Sequence, residues 1–276
     1  MENSESVKET AVEKELTMIT TEELETISEQ QALKFEGLIN MDYLKEQHVI
    51  VIGTGAVGSF LLDTLSRYGL AITAADFDVV SGPNTHNQFF RIQDIGKPKV
   101  VALQDRLRED RNYELSIVND KITKENFKTL LTNKTKFVVL AVDSADSTKE
   151  LLDHIYTNKE TQDLIVLRPG VPDTISDMIY ATGVTNLITK GTYQDYMSTL
   201  TQTDKELEFE LLAALEEQKV CTSQQYTILI QLVSTACAQL IFSLLFVDQN
   251  SLTAVRLARQ YEITGLLPKI KSNNTY

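Results

Sequence analysis

Cysteine is scarce. The 276-residue chain has two, Cys221 and Cys237, and they form no CxxC pair, so neither a disulfide framework nor a zinc site built on paired cysteines is expected. Positive charge is also short: 26 Lys and Arg stand against 39 Asp and Glu, a net −13 with a pI near 4.8. That balance argues against nucleic acid and anionic membranes as partners. No signal-peptide pattern opens the polar N-terminus, and with reduced cysteines this predicts a cytoplasmic protein. Residues 222–247 carry no charge at all, a run long enough to span a bilayer. Yet Gln224, Gln225, Gln231, Ser234, Thr235, Gln239 and Ser243 interrupt it, and each would need a partner in hydrocarbon, so a helix buried in protein or at a subunit interface is predicted.

What is present fits one sizeable domain: 42% of residues are hydrophobic and the length suffices for a substantial core. Residues 1–32 are Glu-rich and lack proline, as in a mobile acidic arm; residues 33–276 are then the folded domain. Phe35, Leu38, Ile39, Met41 and Leu44 repeat at helical spacing ahead of a β-branched strand, His48–Ile52. Helices are predicted over 57–68, from near Lys97, and over 148–157, 204–218 and 222–247. Strands are predicted over 71–76, 115–118, 136–142 and 164–167, with a hairpin-like piece over 176–183. This alternation predicts an α/β, Rossmann-like fold: a mostly parallel sheet, helices on both faces, and a C-terminal helical pair.

The sharpest motif is Gly53-Thr-Gly55-Ala-Val-Gly58, between a predicted strand and a predicted helix. There Gly53 allows the tight turn, Gly55 the close approach of a phosphate, and Gly58 close helix–strand packing. Asp76, at the end of the next strand, is placed to accept from both ribose hydroxyls. To this point NAD and ATP are served equally.

The stretch after Asp76 separates them. It reads Asp76-Phe-Asp78-Val-Val-Ser-Gly-Pro-Asn84-Thr-His86-Asn87-Gln88-Phe-Phe-Arg91, then Asp94-Ile-Gly-Lys-Pro-Lys99. This resembles the ThiF/MoeB-type, ubiquitin-activating-enzyme-like adenylyltransferases, with their D-x-D-x-V, N-L-N-R-Q and D-I-G-x-x-K segments. Asp143-Ser-Ala-Asp146-Ser resembles the family's D-x-x-D-N segment, and the apolar run around Cys237 resembles its dimer helix. The motifs cover roughly residues 46–170. The resemblance implies MgATP as cofactor, Gly53, Gly55, Gly58, Asp76, Asp78, Asn84, Gln88 and Lys99 as nucleotide contacts, and Asp146 as the magnesium ligand. It further implies adenylation of a carboxylate, that of a small ubiquitin-like protein or a peptide with a free C-terminus, by a homodimer or heterodimer.

Two departures stand beside these matches. Asn87 occupies the place of the N-L-N-R-Q arginine and cannot offer a charged bidentate fork; Arg91, as in the F-L-F-R segment of the ubiquitin-activating branch, is the candidate replacement. Residues 1–50 contain no arginine, whereas the family often supplies a second one from that region of a neighbouring subunit. Cys221, downstream of Asp146, is the candidate thioester nucleophile, and Cys237 is read as a buried hydrophobe. His86, in the motif loop, is a further candidate to face the site, and Arg168-Pro169-Gly170, following a strand, to approach its acceptor end, while His48 and His154 read as structural. Two other functions remain open at this point: a catalytically weakened nucleotide-binding partner subunit, and an NAD(P)-dependent oxidoreductase.

Overall fold

In the computed structural model the described residues are 41–170, 183–198, 223–246 and 261–263, all within one unit, Met41–Tyr276. The expected acidic arm, the 204–218 helix, Cys221 and residues 176–182 of the hairpin lie outside them. A short helix α1 (Met41–Lys45) leads into β1 (His48–Ile52), followed by α2 (Ala56–Ser66) and β2 (Ala71–Ala75). Next come α3 (Asn84–Asn87), α4 (Lys99–Arg111), β3 (Ser116–Val118), β4 (Thr135–Leu140), α5 (Ala145–Thr157) and β5 (Ile165–Gly170). Then β6 (Gly183–Ile188), α6 (Ser223–Phe246) and β7 (Tyr261–Ile263) complete the described elements.

The seven strands run in the order β3-β2-β1-β4-β5-β6-β7. The first five are mutually parallel, and β6 and β7 add antiparallel. Every residue of β1 is buried, as a central strand covered on both faces demands, which is why its sequence is a continuous β-branched run rather than an alternating one. The order reverses direction at β1/β4, opening a crevice beyond the carboxyl ends of those strands.

Three local features depart from expectation. Helix α5 begins at Ala145, earlier than residue 148, because Ser144 caps it: its Oγ accepts from the Ser147 N–H at 3.2 Å. Strand β5 runs on through Arg168-Pro169-Gly170 instead of stopping at 167. Its register with β4 ends at Leu167, whereas Arg168, Pro169 and Gly170 pair with Asn186, Thr185 and Val184 of β6. Proline has no N–H to offer, and here it stands where β5 no longer has β4 beside it, so the strand continues as one wall of the crevice. Strand β6, Gly183–Ile188, begins at the last residue of the expected 176–183 piece, the rest of which lies outside the described residues.

The long uncharged run forms α6, and it is long and apolar enough to cross a membrane by length and composition. Its apolar face packs on α2, with Leu229, Ile230 and Val233 buried against Val57. Ser234 donates to the Ile230 carbonyl at 2.7 Å and lies 3.0 Å from the Val57 carbonyl, so that polar position is satisfied inside the fold. Gln231, Thr235, Gln239 and Ser243 form an exposed stripe at four-residue spacing.

At the opposite end of the sheet His48 is buried, with Nδ1 2.7 Å from the Thr135 hydroxyl and Nε2 2.9 Å from that of Thr73. One neutral ring can donate at one nitrogen and accept at the other. Burial lowers its pKa below the ordinary 6.5, so the unfolded chain takes up the proton more readily than the folded one. Stability from this group is therefore complete above about pH 6.5 and is lost as pH falls through the lowered folded value. Thermal melts between roughly pH 5 and 8 should show that decline, and His48→Gln should remove part of it; an unchanged pH profile in that variant would discard the assignment.

Candidate functional site

The crevice is a cavity of about 570 Å³. The turn between β1 and α2 forms its floor. Gly53 has φ +90°, and a side chain there would put Cβ 2.5 Å from the Ala141 carbonyl oxygen. At Gly58 the added Cβ would meet the Gly53 carbonyl oxygen at 2.0 Å; this glycine lies behind the turn and lets α2 sit against it. Gly55 is different. Its added Cβ would meet nothing within 4 Å, and the residue lines the cavity. Each glycine thus meets the geometric need read from the sequence.

Helix α2 starts with no side-chain cap and no acidic residue in its first turn. Its first backbone N–H groups, at a positive dipole end, are left for an anion arriving over Gly55. On the β2 side, Asp76 is 8% exposed. Its Oδ2 accepts from the Thr54 N–H at 2.6 Å and the Thr54 hydroxyl at 2.9 Å, and its Oδ1 accepts from the Asp78 N–H at 2.9 Å. A carboxylate has about four acceptor positions, so capacity remains for a ribose hydroxyl. Phe77 and Ile122 add apolar surface to the cavity.

Lys99, the first residue of α4, is 7% exposed and lines the cavity. Its Nζ donates to Asp78 Oδ2 at 2.7 Å, which uses one of three ammonium donors. The two segments are laced by the backbone: the Lys99 N–H donates to the Asp78 carbonyl at 2.9 Å, and the Val80 N–H to that of Lys97 at 2.9 Å. Gln88 also lines the cavity, and its buried Oε1 has no partner.

Other expected site residues are placed elsewhere. Asn84 does not line the cavity; its Oδ1 accepts from the Ser81 N–H and hydroxyl at 2.8 and 2.9 Å, closing a local turn. Arg91 is turned away, donating to Glu109 at 2.7 Å and Asp110 at 3.0 Å. The acidic end of α4 captures this guanidinium, and Arg91 does not line the cavity. Asp146 is exposed in the first turn of α5, flanked by Ser144 and Ser147, which line the cavity; Asp143 lines it directly. His86 is exposed and away from the cavity, and the His154 ring stands edge-on to Phe127 at 6.0 Å. Cys237 is buried, its thiol pushed up to about 12 by desolvation, so it stays protonated and inert.

Asp120 and Lys121, which the sequence reading missed, also face the cavity, as does Asp143, which it quoted in the D-x-x-D-N segment without giving it a role. Their signal is topological: each follows the carboxyl end of β3 or β4, where a doubly wound sheet binds its ligands.

The model of the ThiF family matches residues 27–257. The chain belongs to the ThiF family. Among curated relatives of this ThiF chain, tRNA threonylcarbamoyladenosine dehydratase 2 of Saccharomyces cerevisiae is 34% identical over 131 residues, 46% of this chain and 29% of that protein. The tRNA threonylcarbamoyladenosine dehydratase of Escherichia coli is 30% identical over 117 residues, 41% of this chain and 44% of that one. The sulfur carrier protein adenylyltransferase of Thermus thermophilus is 27% identical over 135 residues, 46% of this chain and 47% of that one. The matched stretches span less than half of each of these relatives. A crystal structure of E. coli MccB with MccA-N7isoASN superposes with a TM-score of 0.57 at 16% identity, covering 82% of this chain and 63% of that one; at that identity the likeness is one of fold.

Proposed function

We propose that this ThiF chain is an ATP-dependent enzyme that adenylates a carboxylate, the C-terminus of a small ubiquitin-like protein or peptide. The carrying observation is the convergence, in one cavity, of the uncapped α2 N-terminus, the Asp76 carboxylate and the buried Lys99 ammonium. These are an anion site, a ribose acceptor and a cation. In the reaction a carboxylate oxygen attacks the α-phosphorus, the bond from that phosphorus to the bridging oxygen of the β-phosphate breaks, and pyrophosphate departs with the electron pair. No proton need move, so catalysis rests on positioning and on stabilising negative charge. The α2 N–H groups and Lys99 would supply that stabilisation.

A magnesium ion would be held by Asp146 or Asp143. Among the described residues no group of three His, Cys, Asp or Glu side chains could hold a metal. One or two carboxylates with nucleotide phosphates and water completing the shell is the arrangement magnesium favours. Bound there, the ion would offset charge on the departing pyrophosphate.

The net charge of −13 favours a protein or peptide acceptor over the tRNA in the names of two relatives, since RNA affinity is dominated by phosphate contacts. Relatives named sulfur carrier protein adenylyltransferase and ubiquitin-like modifier-activating enzyme 5 support the same class. A dimer in the cytoplasm goes with this reading.

A second reading has its own observation. With Asn87 in the motif position and Arg91 paired to Glu109 and Asp110, this chain would bind nucleotide as a catalytically weak partner subunit. ATP–pyrophosphate exchange on the full chain, with synthetic peptides bearing a free or an amidated C-terminus, separates the two. Exchange requiring the free carboxylate, and reduced by about 100-fold or more in Asp146→Ala, is expected. A loss in Asp143→Ala instead would move the metal site, ATP binding without exchange would favour the partner subunit, and NAD binding without ATP binding would overturn both.

A further inference from the structure

The sheet order divides the cavity into two halves. Phosphate and ribose features lie over β1 and β2, the Gly55 turn and Asp76, with Ile122 beyond β3 continuing that side. A nucleotide laid along them leaves the β4–β5 half to the second reactant. Into that half β5 extends past its last pairing with β4, and the first residue of the extension is Arg168, which lines the cavity. Its Nε is buried and has no hydrogen-bond partner, and no ion pair involves its guanidinium among the described residues. A buried guanidinium N–H left unpaired costs free energy that an arriving acceptor atom would return.

Arg168 shares its face of β5 with Val166, which packs in the core with Leu151 and Leu152 of α5. Following that face, the arginine comes beside the first turn of α5, where Ser144 and Ser147 also line the cavity. Strand β5 lies two spacings from β1, roughly 10 Å. That separation puts Arg168 within side-chain reach of a group that meets a phosphate over the glycine turn, without making it part of the turn's own anion site.

We infer that Arg168 binds and orients the acceptor's reacting carboxylate, an assignment that deepens the adenylation reading and rests on it. One carboxylate oxygen accepts from Nε–H; the other is free to attack the α-phosphorus, the bond to the bridging oxygen breaks, and pyrophosphate leaves with its electron pair. Arg168 thereby places a cation on the acceptor side of the site, where it selects for a free carboxylate over an amide or ester end.

The test uses the full chain and glycylglycine as the probe. The Arg168 Nε–H resonance, identified by its loss in Arg168→Lys, should shift saturably with glycylglycine and not with glycylglycinamide. ATP affinity in Arg168→Gln should stay within about twofold of the parent, while kcat/KM for a free-carboxylate peptide in exchange falls about 10- to 100-fold. Guanidinium added to Arg168→Ala should restore part of that loss, which a merely structural arginine would not show. No shift with glycylglycine overturns the carboxylate site. A loss of ATP affinity in Arg168→Gln makes the residue a nucleotide contact instead, and unaltered exchange kinetics in that variant removes its positioning role. A shift with glycylglycine in a chain that shows no exchange with any peptide would overturn the adenylation reading while leaving the carboxylate site standing.

Discussion

Lys99→Met is expected to abolish adenylation while sparing the fold. The ammonium is the buried cation of the nucleotide half of the cavity, 7% exposed, and two of its three donors are free to meet phosphate oxygens. Removing one preorganised donor of charge stabilisation costs about 100- to 1000-fold in turnover, so exchange should fall by that much. Its carboxylate partner, Asp78, is 49% exposed and can return to water, which puts the pair at about 1 kcal/mol or less. Methionine retains the apolar stem. The thermal midpoint should therefore move by no more than about 4 °C, measured by circular dichroism beside the exchange assay. Exchange at the parent rate would reduce Lys99 to an ion-pair partner of Asp78.

Gly58→Ala should do the reverse, damaging the fold first. The new Cβ would lie 2.0 Å from the Gly53 carbonyl oxygen and 3.4 Å from the Ala141 Cβ. Neither neighbour is a side-chain tip that can swing aside, and Gly53 is itself tied to β2 by its N–H to the Ala75 carbonyl at 2.8 Å. Overpacking against backbone costs about 3 kcal/mol or more, which for a domain of this size lowers the midpoint by roughly 6–12 °C. Gly55→Ala provides the contrast. Its φ of −74° is not left-handed and the Cβ has open space, so stability should fall far less than in Gly58→Ala while ATP affinity falls, because that space is the approach to the α2 N-terminus. If the two variants behave alike, in melts or in ATP titrations, the separation of packing from binding within the glycine turn is wrong.

The nucleotide half of the site was largely legible in the sequence because its requirements are local. A glycine that must pack, a carboxylate at a strand end and a lysine opening a helix each sit at fixed offsets from a β-branched strand. Arg91 shows the limit of such offsets. Its offset from the glycine turn resembles a phosphate contact, but Glu109 and Asp110, a helix away, compete for it, and spacing carries no information on such long-range pairing. The acceptor half was less legible. Pro169 reads as a strand terminator, whereas here it marks the place where β5 outruns β4, and only the sheet register reveals that. Helix α5 starts earlier than the predicted residue 148 because the serine that caps it, Ser144, lies inside the Asp-rich motif itself.

Asp76 has a second consequence for how this site would answer its ligand. The same carboxylate that lines the cavity is clasped by the Thr54 amide and hydroxyl, so the glycine turn is held to β2 before any nucleotide arrives. Such a cradle is preorganised: little ordering entropy is left to spend on binding, and ATP should enter without reshaping the turn. It also means that replacing Asp76 unclasps the phosphate cradle along with the ribose acceptor. The sugar contact is more cleanly removed from the nucleotide, by comparing ATP with 2′-deoxy-ATP and 3′-deoxy-ATP on the intact chain.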